Sequence, residues 1–70
     1  IGNWADLVGH IYYNKDNKEC FNFGKYKGIS VEEVFEREPT YYSWMMNSDF
    51  PLYTKKLITE IRTRKLLKNN

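Results

Sequence analysis

Twelve aromatic side chains have to hold this chain together, because it has few other means of stabilising itself. It has 70 residues, among them four Phe, six Tyr and two Trp, but only one cysteine, Cys20, and one histidine, His10. A single thiol excludes an internal disulfide framework, and one Cys with one His excludes a structural zinc set. A chain this short buries only about 60% of the surface that its unfolded form exposes. A single core of this size contributes only about 3–5 kcal/mol. Large rings, each burying about 150–250 Å², must therefore supply much of the burial. The composition reads as one small folded domain rather than a disordered tail.

No apolar run approaches the roughly 18 residues of a membrane span. The opening Ile1-Gly2-Asn3-Trp4-Ala5-Asp6 lacks the charged start and apolar middle of a signal peptide. The expectation is a soluble, cytoplasmic protein with no membrane partner. Because the chain starts at Ile1 rather than Met and runs straight into structured-looking sequence, it reads as a piece of a longer protein.

The formal net charge of +2 conceals a strong asymmetry. From Asn14 to Gly28, Lys15, Lys18, Lys25 and Lys27 oppose Asp16 and Glu19. From Ile29 to Phe50, Arg37 alone opposes Glu32, Glu33, Glu36, Glu38 and Asp49. From Pro51 to Asn70, Lys55, Lys56, Arg62, Arg64, Lys65 and Lys68 oppose only Glu60. Two basic regions flank an acidic one, which points to an acidic partner, nucleic acid first among candidates. A solvated helix face is the plainer alternative for the last region, since cations also suit a helix C-terminus.

The elements follow from local chemistry. Residues 1–8 read as a lead-in segment, and residues 9–68 as a single small α+β domain. The β-favouring Ile11-Tyr12-Tyr13, the turn-rich Asn14 to Glu19 and then Cys20-Phe21-Asn22-Phe23 predict two strands joined by a hairpin. Phe21 and Phe23, two apart, would share the core face, with Cys20 and Asn22 on the other. Gly24-Lys25-Tyr26-Lys27-Gly28 predicts a second tight hairpin or bulged turn, giving an antiparallel hairpin or three-stranded meander. Its tip would present two ammonium groups and a ring, the combination used by single-strand binders. Alternatively, Tyr26 folds back onto the core while the lysines keep an edge soluble.

Ser30-Val31-Glu32-Glu33 is a capping box, with Ile29 and Val34 placed for a hydrophobic staple. It opens a helix whose buried side is Val31, Val34 and Phe35. Pro39 ends that helix early by disfavouring helical geometry at Glu38. Tyr41-Tyr42-Ser43-Trp44-Met45-Met46 predicts a short, heavily buried helix at the centre of the core. Ser48 or Asp49 then caps a third helix with Pro51 in its first turn. Its apolar stripe is expected to be Leu57, Ile58, Ile61 and Leu66, with Leu52 and Tyr53 at its start, and Asn69-Asn70 is expected to fray. The expected fold class is α+β, a hairpin or meander followed by three helices.

Catalytic chemistry is hard to place here. The central Glu residues fall on the exposed side of one short helix without convergence, and capping accounts for Glu33. His10 is the only imidazole available to serve Cys20 or a Ser. Gly24 to Gly28 lacks the spacing of a P-loop. The expectation is no catalytic residue, no metal site and no cofactor in these 70 residues.

Several motifs occur in a telling order: Phe21-Asn22-Phe23-Gly24-Lys25-Tyr26-Lys27-Gly28, then Val31-Glu32-Glu33-Val34-Phe35, Pro39-Thr40-Tyr41-Tyr42-Ser43-Trp44-Met45-Met46 and Asp49-Phe50-Pro51-Leu52-Tyr53-Thr54-Lys55-Lys56. The series, from about Gly9 to Arg64, resembles the small C-terminal domain that follows the nuclease domain in DnaQ-like 3′–5′ exonucleases, of the exodeoxyribonuclease X-like or DNA polymerase III epsilon-chain kind. The resemblance implies a parent enzyme that removes nucleotides from DNA 3′ ends with divalent metal, Mg or Mn, held by an Asp-x-Glu motif, further Asp residues and a general-base His. None of those motifs occurs here, so the implied catalytic residues would precede Ile1.

Two functions are then expected from different classes. One is an accessory module that binds DNA, single-stranded or at 3′ ends, for the nuclease domain of the same chain. Its expected contacts are Lys25, Tyr26 and Lys27 on the turn, with Lys55, Lys56 and Arg62 on the last helix. The other is a structural or interaction module that packs on the nuclease domain or pairs two copies.

Overall fold

The structure, a computed structural model, describes residues 9–68. The expected lead-in segment 1–8 and the expected fraying at Asn69-Asn70 lie outside the described residues. Strand β1 (Ile11–Tyr13) pairs antiparallel with β2 (Glu19–Phe21), Ile11 opposite Phe21 and Tyr13 opposite Glu19. The connection is set by Asn14, whose Oδ1 accepts from the backbone N–H of Asp16 (2.8 Å) and Lys18 (3.0 Å). Asn17 takes φ 61°, the left-handed region that asparagine tolerates better than most residues.

The third strand of the expected meander is not formed. After β2 the chain turns through a 3₁₀ helix at Gly24–Tyr26 and returns to make one bridge, Cys20 opposite Ser30. The Phe21 N–H donates to the Ile29 carbonyl (3.1 Å), and the Gly28 N–H to the Phe21 carbonyl (2.8 Å). Gly28 sits at φ 88°, where a side chain would be strained, and the chain then enters a helix three residues later, at Val31, leaving no length for a strand. β2 is nonetheless enclosed on both faces, since adjacent Cys20 and Phe21 are both buried. Cys20 is thus core, not the outer face expected for it, and Phe23 lies past the strand and only partly buried.

Helix α1 (Val31–Arg37) starts as its capping box dictates: the Ser30 hydroxyl accepts from the Glu33 N–H at 3.1 Å. Val31, Val34 and Phe35 are buried, and the helix ends at Glu38, directly before Pro39. Helix α2 (Thr40–Met46) buries Tyr41 and Met45 but leaves Trp44 51% exposed. The expectation of a heavily buried α2 therefore fails at Trp44, because seven residues bury one stripe and Trp44 lies off it. Ser48 closes α2 instead of opening the next helix: its hydroxyl donates to the Trp44 carbonyl at 2.6 Å.

Helix α3 (Leu52–Lys68) begins just after Pro51, whose carbonyl accepts from the Lys55 N–H at 3.1 Å. Thr54, Ile58 and Ile61 form its buried line, with Leu57 partly buried beside it. Leu52, Tyr53 and Leu66, expected on the stripe, are exposed. At about 100° per residue, Leu52 and Leu66 lie more than 100° round the helix from Thr54, so burial of one line excludes them.

The core joins Ile11, Phe21, Val31, Val34, Phe35, Tyr41, Met45, Ile58 and Ile61. Phe21 is its hub, meeting Phe23, Phe35 and Tyr41 edge to face at centroid distances of 5.7, 6.2 and 5.5 Å. Such pairs contribute about 0.5–1.5 kcal/mol each beyond their burial. Through these and further ring contacts Phe21, Phe23, Tyr26, Phe35, Tyr41, Tyr42, Trp44 and Phe50 form one connected network.

Candidate functional site

The turn from Gly24 to Gly28 docks against the junction of α1 and α2. Gly24 at φ 66° opens the turn, the Lys27 N–H donates back to the Gly24 carbonyl (3.3 Å), and the Ile29 N–H donates to the Tyr26 carbonyl (3.0 Å). Tyr26 points inward from this turn. Its ring meets Tyr41 edge to face at 5.0 Å, and its hydroxyl donates to Glu38 Oε1. That hydrogen bond raises the Tyr26 phenol above the ordinary tyrosine value, because losing the proton would set two anions together.

Lys25 stays at the surface. Its Nζ is 3.6 Å from Glu38 and 5.1 Å from the Tyr26 ring centroid, and the side chain is 67% exposed. Lys27 is exposed and has no ion pair among the described residues. Lys55, half-buried, and Lys56, exposed, occupy the first turns of α3, also without an ion pair among the described residues. Arg62 places its guanidinium 4.7 Å from the Tyr42 ring centroid.

These six residues divide into two groups. Lys25 and Tyr26 meet Tyr41 and Glu38, whereas Arg62 meets Tyr42, and neighbouring side chains leave a helix about 100° apart. The turn and α3 thus address different flanks of α2.

Beside the turn lies an open cleft of about 640 Å³, within the roughly 300–1,000 Å³ of small-ligand sites. Phe23, Tyr41 and Trp44 line it with rings, and Gly24, Lys25, Glu38 and Thr40 complete it. Trp44 is stacked on Tyr41 at 5.1 Å and 28°, and Phe50 meets it edge on at 5.9 Å. Burial raises the Tyr41 phenol as well. Sequence reasoning missed this cleft because it assigned Trp44 to the core. The surplus was visible, since five large apolar side chains in α2 exceed what one buried stripe of seven residues holds.

The other charged cluster is structural. Arg64 donates to Glu19 at 2.9 Å and lies 4.0 Å from Glu32, and Lys68 is 3.7 Å from Glu32. The Glu19 hydrogen bond pushes the Arg64 guanidinium still higher. Among the described residues no group of three or more His, Cys, Asp and Glu comes together to hold a metal ion. The nuclease metals implied by the sequence resemblance therefore do not fit the described residues. Burial, as the largest cause, raises the Cys20 thiol, which disfavours the nucleophilic thiolate. No helix among the described residues is long and apolar enough to cross a membrane.

The family model for the exodeoxyribonuclease X-like C-terminal region matches residues 21–49, which contain the turn, α1, α2 and every residue lining the aromatic cleft. Exodeoxyribonuclease 10 of Escherichia coli strain K12 is 36% identical over 44 residues, 63% of this chain and 20% of that protein. The exodeoxyribonuclease 10 of Escherichia coli O6:H1 strain CFT073 matches to the same extent. The chain matches only about a fifth of the length of these curated relatives. No solved structure matches it. Over residues 21–49 the chain is thus similar to exodeoxyribonuclease X-like C-terminal regions.

Proposed function

We propose that this chain is a non-catalytic accessory domain of a 3′–5′ exodeoxyribonuclease, and that it holds single-stranded DNA close to a separate nuclease domain of the same protein. The observation that carries this reading is the position of Lys25 and Lys27: exposed, on a turn docked beside an aromatic cleft, inside the segment that matches the family. Phosphate contacts supply affinity without reading sequence. Tethering raises the local strand concentration at the nuclease, so a weak module suffices. Lys55 and Lys56, on α3, form a separate basic group away from the turn. The metal chemistry of such an enzyme belongs to its nuclease domain.

The reading is tested by an NMR titration of the labelled 70-residue chain with short single-stranded DNA at two salt concentrations. Shifts are expected at Lys25 and Lys27, with affinity falling along a log–log slope of about −0.7 for each phosphate contacted. Lys25→Glu and Lys27→Glu are expected to weaken binding without unfolding the domain. Binding indifferent to salt and to both substitutions would overturn the proposal.

One observation favours a second reading, a module that packs on the nuclease domain: Leu52, Leu66 and Leu67 on α3 are 83%, 51% and 68% exposed. Under it, the isolated chain ignores DNA and binds the nuclease domain through α3. Leu66→Ser with Leu67→Ser would abolish that contact.

A further inference from the structure

We infer that the cleft beside Trp44 is a site for one unstacked base of single-stranded DNA, an inference that rests on the DNA-holding reading above and deepens it. A tyrosine in the turn was the stacking residue that the sequence offered, but the Tyr26 ring is turned edge-on to Tyr41 and its hydroxyl is tied to Glu38. Of the three rings that line the cleft, Tyr41 is buried and Phe23 partly buried, which leaves Trp44 as the exposed one. Tyr41 supports it at 5.1 Å and 28°, Phe50 braces its edge, and half of its surface is open to solvent at the cleft. An indole held in that way offers a fixed π face at little entropic cost, and bases of any identity stack on such a face.

The rest of the cleft fits a nucleotide. Gly24 brings no side chain to the wall, and its φ of 66° disfavours any substitute that would. Lys25 stands at the rim, 67% exposed, within reach of a phosphate on the same strand. The one acid in the wall, Glu38, is already engaged by the Tyr26 hydroxyl, which it accepts. A duplex has no free base face to offer, so the site selects single strands.

The experiment uses the 70-residue chain with Trp4→Phe, which leaves Trp44 as its sole tryptophan. It is titrated with a labelled oligothymidine and with an abasic strand of equal phosphate number, following Trp44 fluorescence and the anisotropy of the label. The thymidine strand is expected to quench Trp44. The abasic strand is expected to bind about 5- to 150-fold more weakly without quenching, the range for one stacked base. Trp44→Ala should lower thymidine affinity to the abasic level and leave abasic binding alone. Trp44→Tyr, which keeps a ring, should restore part of the loss, and circular dichroism checks that both variants fold. If both strands bind alike and both lose affinity with salt, the base site is wrong and the phosphate reading survives. If neither strand binds, both fall.

Discussion

Two groups of cations in this domain look alike in sequence and differ in what they face. On α3, Arg64 is held by Glu19 and Glu32, Lys68 reaches Glu32, and Arg62 lies over Tyr42. These side chains fasten α3 to β2, α1 and α2. On the turn, Lys25 meets one partner, Glu38, and Lys27 meets none among the described residues. Of the six cations opposed by a single acid in that region, Arg62, Arg64 and Lys68 are engaged by the fold, whereas Lys55, Lys56 and Lys65 form no ion pair among the described residues. A basic run indicates an acidic partner only after the chain's own carboxylates have been served.

The largest expected effect would break both groups at once. Phe21 joins Phe23 and Tyr41 on the cleft side to Phe35 on the α1 side. Phe21→Ala is expected to cost about 3–5 kcal/mol, most of what a core this small supplies. Thermal unfolding and DNA titration of the variant should fail together. DNA binding that survives loss of the unfolding transition would show that the turn needs no folded scaffold.

A smaller effect separates the groups. Arg64→Ala removes a half-exposed guanidinium from its pairs with Glu19 and Glu32 and should lower stability by about 1 kcal/mol, leaving the salt slope of DNA binding unchanged. Lys27→Ala should do the reverse, reducing the slope by about 0.7 with no measurable change in unfolding. Paired melting curves and salt titrations check both. If Arg64→Ala flattens the salt slope as much as Lys27→Ala does, the division between fastening and binding cations is wrong.

What the sequence made legible was local. The Ser30 N-cap on the Glu33 N–H, the break at Pro39 and the Asn14 turn act within four residues, and each appears in the structure, although the Glu33 carboxylate of the expected capping box pairs with Arg37. The burial of Val31, Val34 and Phe35 followed from one helical stripe. The expected third strand failed because the path of residues 24–28 depends on Tyr26 reaching Glu38, 12 positions away. The destination of the α3 cations was hidden for the same reason, since Glu19 and Arg64 are 45 positions apart. The cleft was hidden by Trp44, for which helical spacing permits core and rim alike, and only the placement of Tyr41 and Phe50 decides between them.

The smallest effect sharpens the comparison through pH. Two phenols on the turn side, Tyr26 and Tyr41, are raised, the first chiefly by its hydrogen bond to Glu38 and the second by burial. An acid whose folded value exceeds its unfolded value, near 10 for tyrosine, stabilises the fold fully below that pH. As pH rises past about 10 the unfolded chain loses its protons first, so stability declines until the folded phenols have also ionised. Arg64, held higher still by Glu19, keeps its charge throughout that window. Mild alkali should therefore loosen the turn while the fastening of α3 stays in place. Tyr26→Phe removes one of the two titrating phenols and should make the fall of the melting midpoint above pH 10 shallower, with amide exchange rising at Gly24 to Gly28 before it rises along α3. Equal alkaline slopes in the two proteins would mean that Glu38 does not hold the Tyr26 proton in solution.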